Sequence, residues 1–331
     1  MDIRKSVSIV IPNYNGAGLL KQYLPFTVEA IKNAGVDYEI IVVDDCSIDN
    51  SLQFLRSDYP NVIVIANSEN KGFSYSCNRG IEKARCELIL LLNSDVKLMP
   101  DYFEHQWKYF WRWDTFGVMG RIIDMDGDHI QDAARLPKFN GLKLKTDYFY
   151  YTNDDQNRLF TFYLSGANAL IDAAKLKKIG GFYELFSPFY CEDMELCLRA
   201  WRLKWNCYYE HKAVCRHEVS ASTKNYQTAN WVKSVYYRNR FYLHALHLNG
   251  LYLFAWYCQV TIIDLLPKLL AGQGWIWKSY RDLFANRKLL KQYKQRIKNL
   301  LDKNESHVTV DEVVTKIRAS VKNKKLIRFK P

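Results

Sequence analysis

Residues 38–45 read Tyr-Glu-Ile-Ile-Val-Val-Asp-Asp. The run Tyr38–Val43 has the length of a strand, is apolar at consecutive rather than alternate positions, and stops at two carboxylates, Asp44 and Asp45. A strand that is apolar on both faces belongs inside a sheet covered on both sides. The same phrase recurs outward from it. Val7–Ile11 is an earlier run of β-branched residues ending in Pro12, and Leu19–Ala34 between the two has helical spacing. Ser47–Asp58 reads as a helix, Asn61–Ala66 as a strand, Ser74–Ala84 as a helix and Glu87–Leu92 as a strand closing on Asn93-Ser94-Asp95. Strands alternating with helices predict an α/β fold with a mostly parallel twisted sheet flanked by helices. In such sheets ligands bind beyond the carboxyl ends of the strands. Those ends carry Asn13-Tyr14-Asn15, Asp44-Asp45 and Ser94-Asp95.

The rest is less regular. A Trp-rich helix is expected around Trp107, Trp111 and Trp113, an antiparallel stretch around Phe116–Ile130, and a loop-rich region to Asp155. A strand near Phe160–Ile171, a helix over Ala173–Lys178, Gly180-Gly181, a helix over Glu192–Leu203 and a strand at Cys207–Glu210 follow. Residues 228–300 read as mostly helical. The expected division is therefore 1–105, a regular α/β half; 106–227, a less regular half; and 228–331, a basic helical extension.

The chain has 331 residues, of which 48% are hydrophobic and 25% charged, which excludes wholesale disorder, a collagen-like chain or a bundle of membrane spans. The net charge of +12 is not spread evenly: residues 278–331 hold 16 Lys/Arg against 5 Asp/Glu, and residues 1–277 hold 31 against 30. A basic tail seeks phosphate, on anionic lipid or on nucleic acid. No nucleic-acid recognition motif accompanies it, so a peripheral anionic membrane surface is the expected partner. Leu251–Ile263 is apolar and aromatic, but Asp264 and Pro267 interrupt it short of a span. It is expected to lie in the membrane interface, with Trp275 and Trp277 at the boundary. The eight cysteines are scattered with no Cys-x-x-Cys pair, and Met1–Ser6 leads straight into a strand-like run. Reduced thiols and a location in the cytoplasm, on the inner face of the cytoplasmic membrane, follow as expectations. No Gly-x-Gly-x-x-Gly follows the first strand, and neither a Gly-x-x-x-x-Gly-Lys-Ser/Thr loop nor a Gly-x-Ser-x-Gly elbow occurs. The dinucleotide, P-loop and hydrolase-elbow readings of a parallel sheet fall away.

Three carboxylate groups remain as carriers of chemistry. Asp44 and Asp45, ending a buried strand, can accept hydrogen bonds from a base or from ribose hydroxyls, or can cap the turn that follows. Asp95 ends an aliphatic strand, where one carboxylate beside substrate phosphates suits a hard cation. Glu192 and Asp193 open a helix after the aromatic segment Phe189-Tyr190-Cys191, where a carboxylate can act as a general base or simply complement the helix dipole. His217, in Cys215-Arg216-His217-Glu218, is a ligand or a structural histidine.

In order along the chain, these segments resemble the family-2 glycosyltransferases, an inverting family with the GT-A fold. The resemblance lies in Ser8–Asn15, in Val42-Val43-Asp44-Asp45-Cys46-Ser47-Ile48-Asp49, and in Asn70-Lys71-Gly72-Phe73 with Asn78-Arg79-Gly80. It continues in Leu91–Asp95 and in Gly180–Glu184 followed by Tyr190–Arg199, and covers residues 6–220. The resemblance implies that Pro12, Tyr14, Asn15, Asp44, Asp45, Asn78 and Ser94 bind the nucleotide, with Pro12, Tyr14 and Asp45 framing the base. It implies that Asp95 and His217 hold Mg2+ or Mn2+ on the donor diphosphate, and that Asp193, with Glu192 beside it, is the catalytic base. Two positions depart from the pattern. Asn93 stands where the first carboxylate of an Asp-x-Asp is usual, so its ribose contact is lost or rearranged. Cys46 replaces a glycine, which is tolerable if that turn has negative φ. The Asn-Ser-Asp version is most similar to a bacterial rhamnosyltransferase-like branch that builds cell-surface polysaccharide. The implied reaction moves a sugar from dTDP-rhamnose or a UDP-sugar to a hydroxyl of a glycan or lipid-linked saccharide. The competing reading is a catalytically inactive nucleotide-sugar-binding or scaffold protein of a glycan assembly complex.

Overall fold

The computed structural model describes residues 4–154, 158–218 and 228–330. The expected first half is present with small shifts of boundary: β1 (Val7–Asn13), α1 (Ala17–Asn33), β2 (Tyr38–Asp44), α2 (Ser51–Asp58), β3 (Ile63–Ala66), α3 (Phe73–Lys83) and β4 (Leu88–Leu92). β4, β1, β2 and β3 lie side by side, all parallel. β2 starts its buried part at Ile40, and Leu88–Leu92 is buried at every position, as continuous apolar runs require. Helix α2 begins four residues later than expected because Asp44, Asn15 and Asp49 hold residues 47, 48 and 51 in a turn through their backbone N–H groups.

The second half completes the same sheet, in the order β10–β12–β6–β11–β4–β1–β2–β3. Its strands are β5 (Val96–Leu98), β6 (Thr115–Ile123), β7 (Ile130–Asp132), β10 (Leu159–Phe160), β11 (Asn168–Asp172) and β12 (Asn206–His217). β11 runs antiparallel between β4 and β6, while β12 is parallel to β6. Three expectations are corrected here. The Trp-rich helix is only a short 3-10 turn, Trp107–Tyr109, and Trp111 and Trp113 are exposed, so this stretch has no continuous buried face to hold a helix. The single strand near Phe160–Ile171 is two strands, β10 and β11, separated by the loop that carries Ser165-Gly166. The region expected to be loop is a hairpin, β8 (Ala134–Asn140) and β9 (Lys143–Tyr151), turning at Gly141.

The C-terminal region packs on the body rather than trailing from it. Helix α6 (Ala229–His247) leads into one continuous helix, Gly250–Leu270, with a π-turn over Thr261–Leu265, and then the helices Trp275–Ala285, Arg287–Lys303 and Val310–Ala319. The terminal strand β13 (Ile327–Phe329) adds to the edge of β9. Arg202 donates to the carbonyl of Val308 at 2.9 Å and Lys316 to Asn206 at 2.8 Å. One buried core runs from Val10 and Leu91 through Trp201 and Trp256 to Ile317. The expected boundary at 227 lies outside the described residues. Gly250–Leu270 is long and apolar enough to cross a membrane by length and composition. Trp256 is buried against the body, whereas Leu251, Tyr252, Phe254, Ile262, Ile263, Leu266 and Leu270 are exposed. All eight cysteines are free.

Candidate active site

A cleft of about 880 Å³ opens at the carboxyl ends of β1, β2 and β4. Pro12, Tyr14, Asn15, Asp45, Ser94, His217, Glu192 and Asp193 all line it, so chain positions more than two hundred residues apart meet in one cavity. The nucleotide-loop side is stitched by side chains. Asn15 accepts from the Ile48 N–H at 2.8 Å, and its own N–H donates to Ser47 Oγ at 2.8 Å. Asp45 accepts from Asn67 Nδ2 at 2.7 Å and from the Lys71 and Gly72 N–H groups at 3.0 and 2.7 Å. It thereby fixes the 67–72 loop on the far wall of the cleft. Cys46 has φ +64, so the expectation of negative φ is corrected: this cysteine occupies the left-handed region that glycine would enter freely.

Two expected nucleotide ligands take other places. Asp44 is fully buried behind the cleft wall, accepting from Asn13 Nδ2 at 2.9 Å and from the Ser47 N–H at 3.0 Å. It is the brace under the loop, not one of its faces. Asn78 lies on another surface, where its amide donates to the Phe182 carbonyl at 2.9 Å and accepts from the Phe182 N–H at 2.8 Å. Gly181 passes so close that a Cβ there would sit 2.4 Å from Asn78 Oδ1. Arg199 ties the same loop from below, donating to the carbonyls of Ile179 and Gly181 at 2.6 and 2.7 Å while paired with buried Glu195 at 2.8 Å. The Gly-Gly-Phe block and the helix after Glu192 are thus joined by an arginine that never faces the cleft.

Asp95 and His217 do come together. β12 runs antiparallel to β5, which sets His217 opposite Val96 and its Nε2 3.4 Å from Asp95 Oδ1. Gln131 Nε2 reaches the His217 carbonyl at 3.4 Å, which turns Gln131 Oε1 toward His217 Nδ1 at 3.1 Å. With the proton on Nδ1, toward Gln131, the Nε2 lone pair would face the carboxylate oxygen of Asp95. Two acceptors turned to one another are satisfied by a cation between them, and an imidazole oriented by a neighbouring carbonyl is the usual form of a metal-bound histidine. The residues therefore fit a divalent ion. A second group, Asp101, Glu104 and His105, has closely spaced ligand atoms, but it is largely solvent-exposed and outside the cleft lining.

Glu192 and Asp193 begin α5 (Glu192–Arg202), and the approach to it is strained. Tyr190 and Cys191 have φ of +77 and +70, each costing about 1–3 kcal/mol, and such pairs persist only where the surroundings hold them. The holder is Asn239 of α6, fully buried, whose amide donates to the carbonyls of Phe186, Phe189 and Tyr190 at 2.5, 2.8 and 2.9 Å. Arg238 donates to the carbonyl of Ser187. Reading the sequence missed Asn239. The helix carries other polar residues, among them Ser234, Arg238, Arg240 and His244, so no signal in the sequence sets Asn239 apart. Burial raises both carboxyls above their usual range, and Glu192 is raised well above it because the neighbouring Asp193 charge adds to the effect of burial. The Arg135 guanidinium draws Asp193 back down. Of the two, Asp193 is the less shifted, because a guanidinium stands beside it. Glu192 Oε2 is buried without a hydrogen-bond partner. Arg135 itself is paired with Asp132, whose carboxyl is pushed up to about 6 by burial.

A mostly parallel sheet thus brings its polar strand ends, two adjoining carboxylates and a histidine to one cleft. The family model described as glycosyl transferase family 2 matches residues 8–180, and the chain belongs to that family. A Pseudomonas fluorescens undecaprenyl-phosphate 4-deoxy-4-formamido-L-arabinose transferase is 37% identical over 99 residues, 29% of each chain. An uncharacterized glycosyltransferase of Rickettsia typhi is 27% identical over 224 residues, 66% of each chain. The chain spans about two thirds or less of the length of these relatives. Among solved structures, GalNAc-T7 with UDP, GalNAc and Mn2+ superposes with a TM-score of 0.64 at 12% identity, over 96% of this chain and 57% of that one, a likeness of fold.

Proposed function

We propose that this protein moves a sugar from a nucleoside-diphospho-sugar to an acceptor hydroxyl with inversion, using Asp193 as the base. One observation carries the reading: Glu192 and Asp193 stand at the neck between the nucleotide-side cleft and a second cavity of about 490 Å³. A base there reaches an acceptor entering from one side and a donor lying on the other. Pro12, Tyr14 and Asp45 take the nucleotide, and Asp95 with His217 would hold Mg2+ or Mn2+. Such an ion supplies charge neutralisation for the departing diphosphate. Asp193 removes the acceptor proton as that oxygen attacks the anomeric carbon, while Glu192, held neutral, adds no second repelling charge. Asn239 keeps the turn before them in its strained shape.

dTDP-rhamnose or a UDP-sugar is the donor that the motif pattern favours, and the acceptor is a glycan or lipid-linked saccharide for a cell-surface polymer. Membrane attachment at the inner face of the cytoplasmic membrane is supported by the exposed apolar side of Gly250–Leu270 and the basic helix Arg287–Lys303. Asp264, paired with Lys143 at 2.8 Å, and buried Trp256 tie that helix to the body. This favours a helix lying in the interface rather than crossing it. The test is thermal shift and turnover over a panel of nucleotide sugars with Mn2+ or Mg2+. Stabilisation without turnover for every donor and saccharide offered would favour the scaffold reading. Neither stabilisation nor turnover would defeat both.

A further inference from the structure

The second cavity has an electrostatic character of its own. It is walled by β9, α5, α6 and the Gly250–Leu270 helix, and it shares Tyr190, Glu192 and Asp193 with the nucleotide-side cleft. Four cations reach it: Arg135, Lys143, Lys145 and Arg240. Two are already matched, Arg135 by Asp132 and Lys143 by Asp264. Arg240 spends its hydrogen bonds on neutral groups, the Leu144 carbonyl at 2.6 Å and the Tyr236 hydroxyl at 3.2 Å. Lys145 is half-buried, and among the described residues no carboxylate lies within ion-pair distance of its ammonium. Burial, with Lys143 and Arg240 close by, holds that ammonium below its usual range against the opposing pull of Asp264. The aromatic rings of Tyr190 and Tyr236, 5.8 Å apart, stand at the same cavity and offer faces to a sugar.

We infer that this cavity is an acceptor subsite for a phosphate-bearing acceptor, with Lys145 and Arg240 taking the phosphate and Asp193 facing the hydroxyl to be glycosylated. The inference rests on the transferase reading above but deepens it: Glu192, Asp193 and Asp264 line the same cavity, yet among the described residues none is ion-paired with Lys145 or Arg240, so an uncharged glycan would leave both half-buried cations without an ionic partner. A phosphate can arrive on a water-soluble saccharide or on a lipid. The lipid source has a route, since Trp256 and Val260 of the helix with the exposed apolar face form part of the wall.

The experiment is calorimetric titration of the full chain with two matched pairs: glucose 1-phosphate against methyl glucoside, and decyl phosphate against decyl glucoside. The charged member of at least one pair should bind more tightly by about tenfold or more, the size of a charge-assisted hydrogen bond. Saturating UDP and dTDP should not displace it, and Lys145→Ala should remove most of the preference. Preference in the glucose pair identifies a phosphosaccharide, and preference only in the decyl pair identifies a lipid phosphate. No preference in either pair overturns the inference, as does a preference that UDP abolishes or that survives Lys145→Ala. If Lys145→Ala fails to fold, Lys145→Met keeps the stem and removes the charge. Separate titration with UDP and Mn2+ tests the donor reading, so failure of one leaves the other standing.

Discussion

The strands β1–β4 and the helix α6 both position the candidate site, by different means. In the first region the chain folds by local period: apolar strands alternate with helices, and each strand delivers its next residues to the cleft. In the second, one helix distant in sequence reaches back and grips loops by side-chain hydrogen bonds, as Asn239 does for Phe186–Tyr190 and His244 does by accepting from the Leu144 N–H at 2.8 Å. The nucleotide side is built by secondary structure and the catalytic side by tertiary clamps. Damage to the first should therefore spread through the sheet, whereas damage to the second should alter catalysis with little effect on nucleotide binding.

The largest effect is expected at the neck between the two regions. Asp193→Asn should lower transfer by at least about 100-fold, the lower end of what a positioned base contributes. UDP binding by calorimetry should persist. A variant with more than a tenth of the wild-type rate would pass the role to Glu192. Next comes the nucleotide side: Asp95→Ala should abolish the strengthening of UDP binding by Mn2+ and weaken metal-supported binding by about 10–100-fold. If Mn2+ strengthens binding equally in the variant, other residues hold the ion.

The clamp is the third test, and it addresses the comparison directly. Asn239→Ala strands three carbonyls beside a strained turn, and should cost about 1–3 kcal/mol of stability. A purely structural role would stop there. A positioning role predicts a fall in kcat of about tenfold with KM for the donor little changed, the pattern of a lost transition-state alignment. Unchanged kcat would reduce Asn239 to packing.

The same contrast explains what the sequence disclosed. β1 to β4 and their loops were readable because period and strand-end chemistry are local properties. The pairing of Asp95 with His217 was readable only through family likeness, since 122 positions separate them along the chain. The buried place of Asp44 was not legible, because a carboxylate at a strand end looks the same in sequence whether it faces the cleft or braces the loop behind. The β8–β9 hairpin was missed because its strands are half-polar, one containing Pro137, and the short β13 that borders them comes from the far end of the chain. Asn239 and Arg199 act on backbone carbonyls of distant loops, and no spacing rule marks such a partner.

Acid should separate the two regions by the smallest of these effects. No histidine lies in residues 4–92, whereas His244 and His247 are buried in α6. Burial pushes His244 down to about 3 and His247 to about 4 from an ordinary 6.5. Arg240 and Lys143 face His244, while Glu195, Arg199 and Arg202 face His247. Glu195 opposes the shift of His247 without cancelling it. Both imidazoles stay neutral in the folded protein while the unfolded chain protonates them. Their neutral state therefore costs nothing above pH 6.5, and stability falls progressively as pH drops from there toward 4. By pH 6.0 the loss should be roughly 1 kcal/mol for each imidazole relative to pH 7.5. The raised carboxyls of Glu192 and Asp132 take up protons in the folded state and oppose this loss over the same window, so denaturant unfolding at the two pH values is compared between the wild type and His247→Gln. Hydrogen exchange, corrected for the intrinsic effect of pH, locates the loss: the amides of α6 should lose protection before those of β1–β4. The same pH dependence in the wild type and the variant would mean that the His247 imidazole is protonated or solvated in the folded state. Loss of protection in β1–β4 first would mean that the parallel sheet, not the clamp, is the weaker region.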